Sequence, residues 1–204
     1  MVRDFRALRQ DLQKRGLFRS RKSYYAWKLF QNLALVALAA TMLSVAHGST
    51  PWMLASACVL GLFFQQSGWL AHDFAHHQVF PQRERNDALG YFLGNVCQGF
   101  SVDWWKSKHN LHHAAPNELS GDKTRVIDPD IDTMPLLAWS EDQLVGASQA
   151  KKTLVRVQHL LFAPILLFAR FNWCVDSLVS AARLLVAPPA GSREGTRARG
   201  ALEV

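Results

Sequence analysis

Histidine is concentrated in two short runs of this 204-residue chain. Six of its eight histidines lie in HDFAHH, residues 72–77, and HNLHH, residues 109–113. Spacings of three and four residues place side chains on one face of a helix, and histidine is the commonest transition-metal ligand. A lone histidine is more often structural, but two helix-periodic runs favour metal binding. The predicted metal ligands are His72, His76, His77, His109, His112 and His113.

The type and the number of the ligands restrict which metal ions can bind and how many. Nitrogen-rich ligation suits iron, zinc or copper rather than magnesium or calcium. Six imidazoles exceed the four ligands of one tetrahedral ion, which favours two iron ions. Two six-coordinate irons with one or two positions left for oxygen would take about eight to ten protein ligands, so we expect an incomplete set here. Asp73 either accepts a hydrogen bond from a ligand imidazole or caps backbone groups. We assign no catalytic side chain beyond the ligands.

Long apolar segments surround the two histidine runs and would position them. Segments at about residues 27–46, 51–70 and 155–175 are long enough, with their flanks, to cross about 30 Å of hydrocarbon as helices. Pro164 would kink the third helix. If the second helix continues through His77, it is about 40 Å long, and the first histidine run emerges from the membrane. We predict an all-α membrane protein, a helical transmembrane bundle with interfacial helices and a cytosolic histidine region.

The distribution of charge gives an orientation. Residues 1–28 carry nine Lys or Arg and two acidic residues. A basic block directly before an apolar run is typical of a cytoplasmic flank, and this placement argues against nucleic-acid binding. Residues 1–24 would form a basic cytosolic segment, and two crossings would return the chain to the cytosol with both histidine runs. The three cysteines show no disulfide framework and no zinc-finger spacing.

Shorter segments complete the predicted architecture. Residues 4–15 form an amphipathic helix, which lies either on the membrane or in solvent. Residues 80–87 form a loop, and residues 88–101, too short to span, form an interfacial helix. Residues 114–143 are polar, show no apolar period, and form a cytosolic excursion. Residues 174–186 form either a return helix or an interfacial helix.

Three motifs carry a resemblance to a known family. GWLAHDFAHHQVF, GYFLGNVCQGFSVDWWKSKHNLHHAAPN and DPDID with the following PLLAWSE resemble front-end membrane fatty acid desaturases of the delta-6, delta-5 and delta-8 type. The similarity runs from about residue 4 to about residue 187. The resemblance implies a di-iron centre that uses oxygen and electrons from cytochrome b5 and its reductase. It also implies insertion of a cis double bond into a polyunsaturated acyl chain, carried by a lipid or by coenzyme A, between its carboxyl end and an existing double bond.

The resemblance also implies ligands and a location. By match to the family's histidine boxes, the iron ligands are His72, His76, His109, His112 and His113. His77 aligns with a position that is histidine in only part of the family. A multi-pass protein of the endoplasmic reticulum membrane, with both boxes facing the cytosol, is expected.

The chain departs from the family pattern in two places. It has neither an N-terminal cytochrome b5 domain with an HPGG motif nor a third box of the form QxxHH. Residues 25–187 would be a partial desaturase domain that receives electrons from cytochrome b5 in trans, and residues 188–204 have the composition of a disordered tail. Three hypotheses remain: a truncated acyl desaturase lacking the third box, a catalytically inactive membrane fragment or partner-binding form, and a di-iron lipid hydroxylase.

Overall fold

The fold is helical, as predicted. A computed structural model describes residues 2–123 and 125–186, and those residues contain no β-sheet, only one isolated antiparallel bridge between Leu119 and Val126. The predicted tail at 188–204 lies outside the described residues. The elements are α1 (Val2–Lys14), α2 (Lys22–Ser44), α3 (Thr50–Ala75), α4 (Arg83–Tyr91), a π-helix (Phe92–Gln98), α5 (Val102–Ala114), a 3-10 turn (Glu141–Leu144), α6 (Gln149–Arg156) and α7 (Gln158–Val186).

The chain divides into two compact units. The first, Met1–Gln98, contains α1 to α4 and the π-helix, with the first histidine run at the end of α3. The second, Gly99–Val204, contains α5 to α7, with the second histidine run at the end of α5.

Among the residues that the structure describes, three helices are long and apolar enough to cross a membrane. They are α2, α3 and α7, with 23, 26 and 29 residues, and at 1.5 Å per residue they extend about 35 to 43 Å. Each of them overlaps one of the spans predicted at about 27–46, 51–70 and 155–175, although α2 ends at Ser44 and α7 begins only at Gln158. Large apolar side chains point outward from α2; Leu33, for example, is 69% exposed. An exposed apolar surface on a long helix suits lipid contact, so this is a membrane protein.

Buried polar contacts connect α2 and α3 in the first unit. The side-chain amide of Asn32 donates to Ser67 Oγ at 2.9 Å, and Ser56 Oγ donates to the carbonyl oxygen of Ala39 at 2.7 Å. All of these groups are buried between the two helices, where side-chain hydrogen bonds fix how transmembrane helices pair. The pairing sets the position of α3, which carries the first histidine run.

The chain after α3 is more helical than predicted. The prediction of a loop over 80–87 was wrong for its second half, because α4 begins at Arg83. Asn86, fully buried in α4, accepts from the amides of Val79 and Phe80 and donates to the carbonyl oxygens of Phe80 and Gln82. Its side chain thus satisfies the polar backbone of the short turn before α4, and the helix can start among charged residues.

The predicted interfacial helix over 88–101 is not one helix. It comprises the end of α4, the π-helix Phe92–Gln98, and residues up to Ser101, whose hydroxyl caps α5 by accepting from the amide of Trp104 at 3.0 Å. Burial raises the pKa of the Cys97 thiol in the π-helix.

The second unit contains a correction to the predicted third span. Residues 174–186 are neither a return helix nor a separate interfacial helix, because α7 runs without a break from Gln158 to Val186 and includes Pro164. The charge that suggested a break, Asp176, forms an ion pair with Lys108 of α5, with 3.2 Å between its Oδ2 and Lys108 Nζ. Within residues 114–143, of which the structure describes all but residue 124, no α-helix follows the end of α5.

Candidate metal centre

The first histidine run lies at the end of α3. His72 is in the last turn of the helix, and His76 caps it, its amide donating to the carbonyl oxygen of His72 at 3.0 Å. One helical turn separates the two residues, so their rings lie side by side, with centroids 4.5 Å apart. The Nε2 atom of His76 is buried. The helix thus presents two imidazoles as a pair, as their spacing predicts.

Asp73 contacts one of these imidazoles. Its Oδ1 lies 3.1 Å from His72 Nδ1, and its Oδ2 accepts from the Tyr25 hydroxyl of α2 at 3.0 Å. This geometry suits a role for Asp73 as the hydrogen-bond acceptor of a ligand imidazole rather than as a cap of backbone groups. A bond at Nδ1 leaves Nε2 as the atom with which His72 would bind a metal. Sequence reasoning missed Tyr25, which looked like one of several aromatic residues at a membrane interface.

His77 differs from the other two histidines of its run. It lies beyond the end of α3, at a φ of +55°, so the helix does not continue through His77, which was the condition for a length of about 40 Å. Its Nε2 atom lies 2.8 Å from Asp87 Oδ1 of α4. A ligand role for His77 would therefore use Nδ1.

The second histidine run occupies the last two turns of α5. His109 and His113 approach each other through their Nε2 atoms, 3.1 Å apart. Two nitrogens that bind one metal at about 2.1 Å, with a right angle between the bonds, lie about 3 Å apart. The separation fits a shared ion, and it also suits a hydrogen bond between a protonated and an unprotonated nitrogen. Trp105 stacks on the His109 ring, with centroids 4.3 Å apart, and restricts its rotation.

His112 points to a carboxylate in the following segment. Its Nδ1 lies 2.9 Å from Asp128 Oδ2 and 3.1 Å from Oδ1, and 3.6 Å from Oδ2 of the more exposed Asp130. The hydrogen bond to Asp128 raises the pKa of His112, and the charges of Asp130 and Asp128 add to the rise, while desolvation opposes it.

Asp128 itself is fully buried and ionised. Desolvation disfavours its charge, but the amides of Asn117 and Asp130 donate to it at 2.7 and 2.9 Å, and together with His112 they hold the pKa of the carboxyl below its usual range. The bond from the Asp130 amide is the Asx-type turn typical of this sequence. The contact with His112 was missed, because nothing in the spacing of residues 112 and 128 indicates it.

The donor set fits iron. Each unit presents histidine nitrogens on a helix end, with a carboxylate against Nδ1 of His72 in one and of His112 in the other. Imidazoles backed by carboxylates are typical of transition-metal ligation, whereas magnesium and calcium prefer oxygen ligands. Of the two isolated histidines, His47 lies in the turn that precedes α3, at the opposite end of that helix from His72.

Comparison with known proteins agrees with this chemistry. The family model described as "Fatty acid desaturase" matches residues 49–193, which include both histidine runs. No solved structure matches the chain.

Curated relatives are also desaturases. The chain is 48% identical over 177 residues to an acyl-lipid (9-3)-desaturase of Physcomitrium patens, covering 85% of this chain and 33% of that protein. It is 39% identical to a delta-8 fatty acid desaturase of Euglena gracilis, with 87% and 40% covered, and 38% identical to a delta-6 fatty acid desaturase of Caenorhabditis elegans, with 87% and 39% covered. The chain thus spans about a third to two fifths of the length of these relatives. A family model that covers most of the chain, and the histidine geometry within it, show that the chain belongs to the fatty acid desaturase family.

Proposed function

We propose that this chain supplies two histidine boxes, residues 72–77 and 109–113, to a front-end acyl desaturase. The reaction would be the oxygen-dependent insertion of a cis double bond into a polyunsaturated acyl chain, on the carboxyl side of an existing double bond. Support comes from the relatives, whose names are those of delta-6, delta-8 and acyl-lipid (9-3) desaturases. The substrate would be a fatty acyl lipid or acyl coenzyme A.

The observation that carries the proposal is the arrangement of each box. Both boxes lie at helix ends, and each has one imidazole whose Nδ1 contacts a carboxylate: His72 with Asp73, and His112 with Asp128. A carboxylate at Nδ1 favours the tautomer in which Nε2 lacks a proton and can bind a metal. Structural histidines have no need of this arrangement in two separate helices.

The residues of this chain would bind and orient the metal rather than transfer protons. All six box histidines would act as ligands, with Asp73 and Asp128 setting the orientation of two of them. When bound, two iron ions would supply the oxidising power needed to remove hydrogen from an unactivated methylene group, which side chains alone do not have. Electrons would come from cytochrome b5 and its reductase.

A pair of irons with open positions would need about eight to ten protein ligands, and the two boxes provide six imidazoles. The missing ligands would therefore come from outside the two boxes. This predicts that catalysis depends on a further segment that contributes histidines, in the same polypeptide or in a second one.

A complementation experiment tests the proposal. The chain is co-expressed in yeast with cytochrome b5, its reductase and the remaining C-terminal part of the Physcomitrium patens relative, and polyunsaturated fatty acids are supplied. We expect a product with one new cis double bond, identified by gas chromatography and mass spectrometry. His112→Ala should abolish the product, whereas His47→Ala, at the other end of α3 from the first box, should leave it unchanged.

Each other outcome has a defined meaning. The same C-terminal part, co-expressed with the relative's own N-terminal part, is the positive control. If that pair is active and the present chain is not, the chain is an inactive membrane protein and the proposal is wrong. If the product carries a hydroxyl group in place of a double bond, the chain is a lipid hydroxylase.

A further inference from the structure

Asp128 occupies an unusual position for an acidic side chain. It is fully buried, although it belongs to a segment without regular secondary structure. A buried carboxylate is costly unless hydrogen bonds compensate for its lost hydration. Asp128 lies against three such groups: the backbone amides of Asn117 and Asp130 and the imidazole of His112.

We infer that Asp128 is a positioning residue that fixes the ring orientation and tautomer of His112, so that Nε2 of His112 is the metal-binding atom. The inference rests on the proposed function for the identity of the metal. It does not rest on it for the orientation of the ring, which can be measured without metal.

The backbone makes this carboxylate rigid. One oxygen of Asp128 accepts from the amide of Asn117 and the other from the amide of Asp130, so neither can turn away without losing a bond of 2.7 or 2.9 Å. Both oxygens also lie within 3.1 Å of His112 Nδ1. An ionised carboxylate only accepts hydrogen bonds, so His112 must present an N–H at Nδ1, and its unprotonated nitrogen is Nε2.

Asp130 cannot replace Asp128 in this role. Its nearest carboxylate oxygen is 3.6 Å from His112 Nδ1, beyond hydrogen-bonding distance, and 3.9 Å from His109 Nδ1. Its side chain is 46% exposed, so water screens its charge. It contributes attraction but no fixed direction.

The first test needs no substitution in the loop. Metal-free protein labelled with ¹⁵N-histidine is studied in detergent by NMR, well above the pH at which the imidazoles titrate, and His112 is assigned by comparison with His112→Gln. We expect His112 to carry its proton on Nδ1. A proton on Nε2 of His112 would overturn the inference.

The second test uses Asp128→Asn, with Asp132→Asn as the matched control in the same loop. The asparagine can accept through only one side-chain atom, so it cannot satisfy all three donors of Asp128. We expect a mixture of His112 tautomers and about a 10- to 100-fold weaker binding of ferrous iron, with neither effect in Asp132→Asn. Circular dichroism checks that the helices are retained. If Asp128→Asn misfolds, Asp128→Glu takes its place, because glutamate keeps the negative charge but moves the carboxylate by one methylene group.

The two measurements separate this inference from the proposed function. If the wild-type chain binds no iron but His112 carries its proton on Nδ1 and loses this preference in Asp128→Asn, the positioning role stands and the iron assignment fails. If His112 keeps the same tautomer and the same iron affinity in Asp128→Asn, Asp128 is only a structural group of the loop.

Discussion

An imidazole can bind a metal through either nitrogen, and the partner of one nitrogen selects the other. In the first box, Tyr25 donates to Asp73, and Asp73 in turn lies beside His72 Nδ1. In the second box, backbone amides hold Asp128 against His112. In both boxes a carboxylate is thus held beside Nδ1 of a histidine, by a side chain from a neighbouring helix in the first and by the main chain of a loop in the second.

The hydroxyl of Tyr25 should influence metal binding through Asp73. Tyr25→Phe removes the donor to Asp73 Oδ2 and lets the carboxylate rotate away from His72. We expect up to about tenfold weaker binding of ferrous iron, measured by titration of the purified chain. Tyr24→Phe is the control, because Tyr24 is the adjacent, exposed tyrosine. An equal loss in both variants would contradict a specific role for Tyr25.

His77 and Asp87 should act together in metal binding. If His77 binds iron through Nδ1, Asp87 at Nε2 orients it, so His77→Gln and Asp87→Asn should both lower the iron content of the purified protein. His76→Gln gives the size of the loss for a neighbouring ligand. Full iron content in His77→Gln would show that His77 is not a ligand. Its contact with Asp87 would then serve only to connect the end of α3 with α4.

At the scale of helices, the buried polar pair between α2 and α3 should be measurable as a coupling. Asn32→Ala and Ser67→Ala each remove one side of a 2.9 Å hydrogen bond. In a double-mutant cycle we expect a coupling of about 0.6 kcal/mol in the free energy of unfolding, which is typical of such bonds in membranes. The measurement is unfolding in mixed detergent micelles, followed by helical ellipticity.

A control for this cycle is available in the same helix. The Thr41 hydroxyl donates to the carbonyl oxygen of Ala37 within α2, so pairing Thr41→Val with Ser67→Ala should give no coupling. Strictly additive effects of the Asn32 and Ser67 variants would show that the hydrogen bond does not hold the helices together.

Hydropathy predicted those helices whose apolar residues form an uninterrupted run in the sequence. α2 and α3 are continuous apolar runs, and their lengths alone require helices across a bilayer. α4 was missed because its first turn is charged, and what stabilises its start is the buried side chain of Asn86. The continuity of α7 was missed because Asp176 interrupts the apolar run, while its partner Lys108 is 68 residues away in sequence.

The candidate site was predictable to the same extent. Ligand types follow from histidine spacing, since side chains three or four residues apart share a helix face. The groups that contact these histidines cannot be predicted from spacing. Asp73 is the exception, because it adjoins His72 in sequence. Tyr25 reaches Asp73, and Asp128 reaches His112, only through tertiary structure, from 48 and 16 residues away. No local pattern encodes such contacts.

For the whole molecule, the number of crossings makes a prediction about sidedness. If α2 and α3 both cross the membrane, the turn between them lies on the far side from the basic N-terminal segment. Residues 76–108, all described by the structure, contain no candidate span between the end of α3 and the box at 109–113, so this box would lie on the near side. By the excess of Lys and Arg in the basic segment, we expect the near side to be cytosolic.

Cysteine labelling tests this sidedness in microsomes from the endoplasmic reticulum. In a variant without Cys58, Cys97 and Cys174, single cysteines are introduced by Gly121→Cys and Ser49→Cys. A membrane-impermeant maleimide added outside should modify the first, and should modify the second only after the membrane is permeabilised. The reverse pattern would place both histidine boxes in the lumen.

The length of α3 has a consequence for the lipid in which the protein can work. His72 lies 22 residues beyond the first residue of the helix, a rise of about 33 Å, only slightly more than a typical hydrocarbon thickness of about 30 Å. In a thin bilayer such as that of the endoplasmic reticulum, about 27 Å, the first box stands clear of the acyl chains. In a sterol-rich bilayer of about 32 to 33 Å, hydrophobic mismatch would place the imidazoles at the boundary of the hydrocarbon core. Desolvation there would weaken the binding of a charged metal ion. Membrane thickness would then act on the metal centre directly, through a single helix.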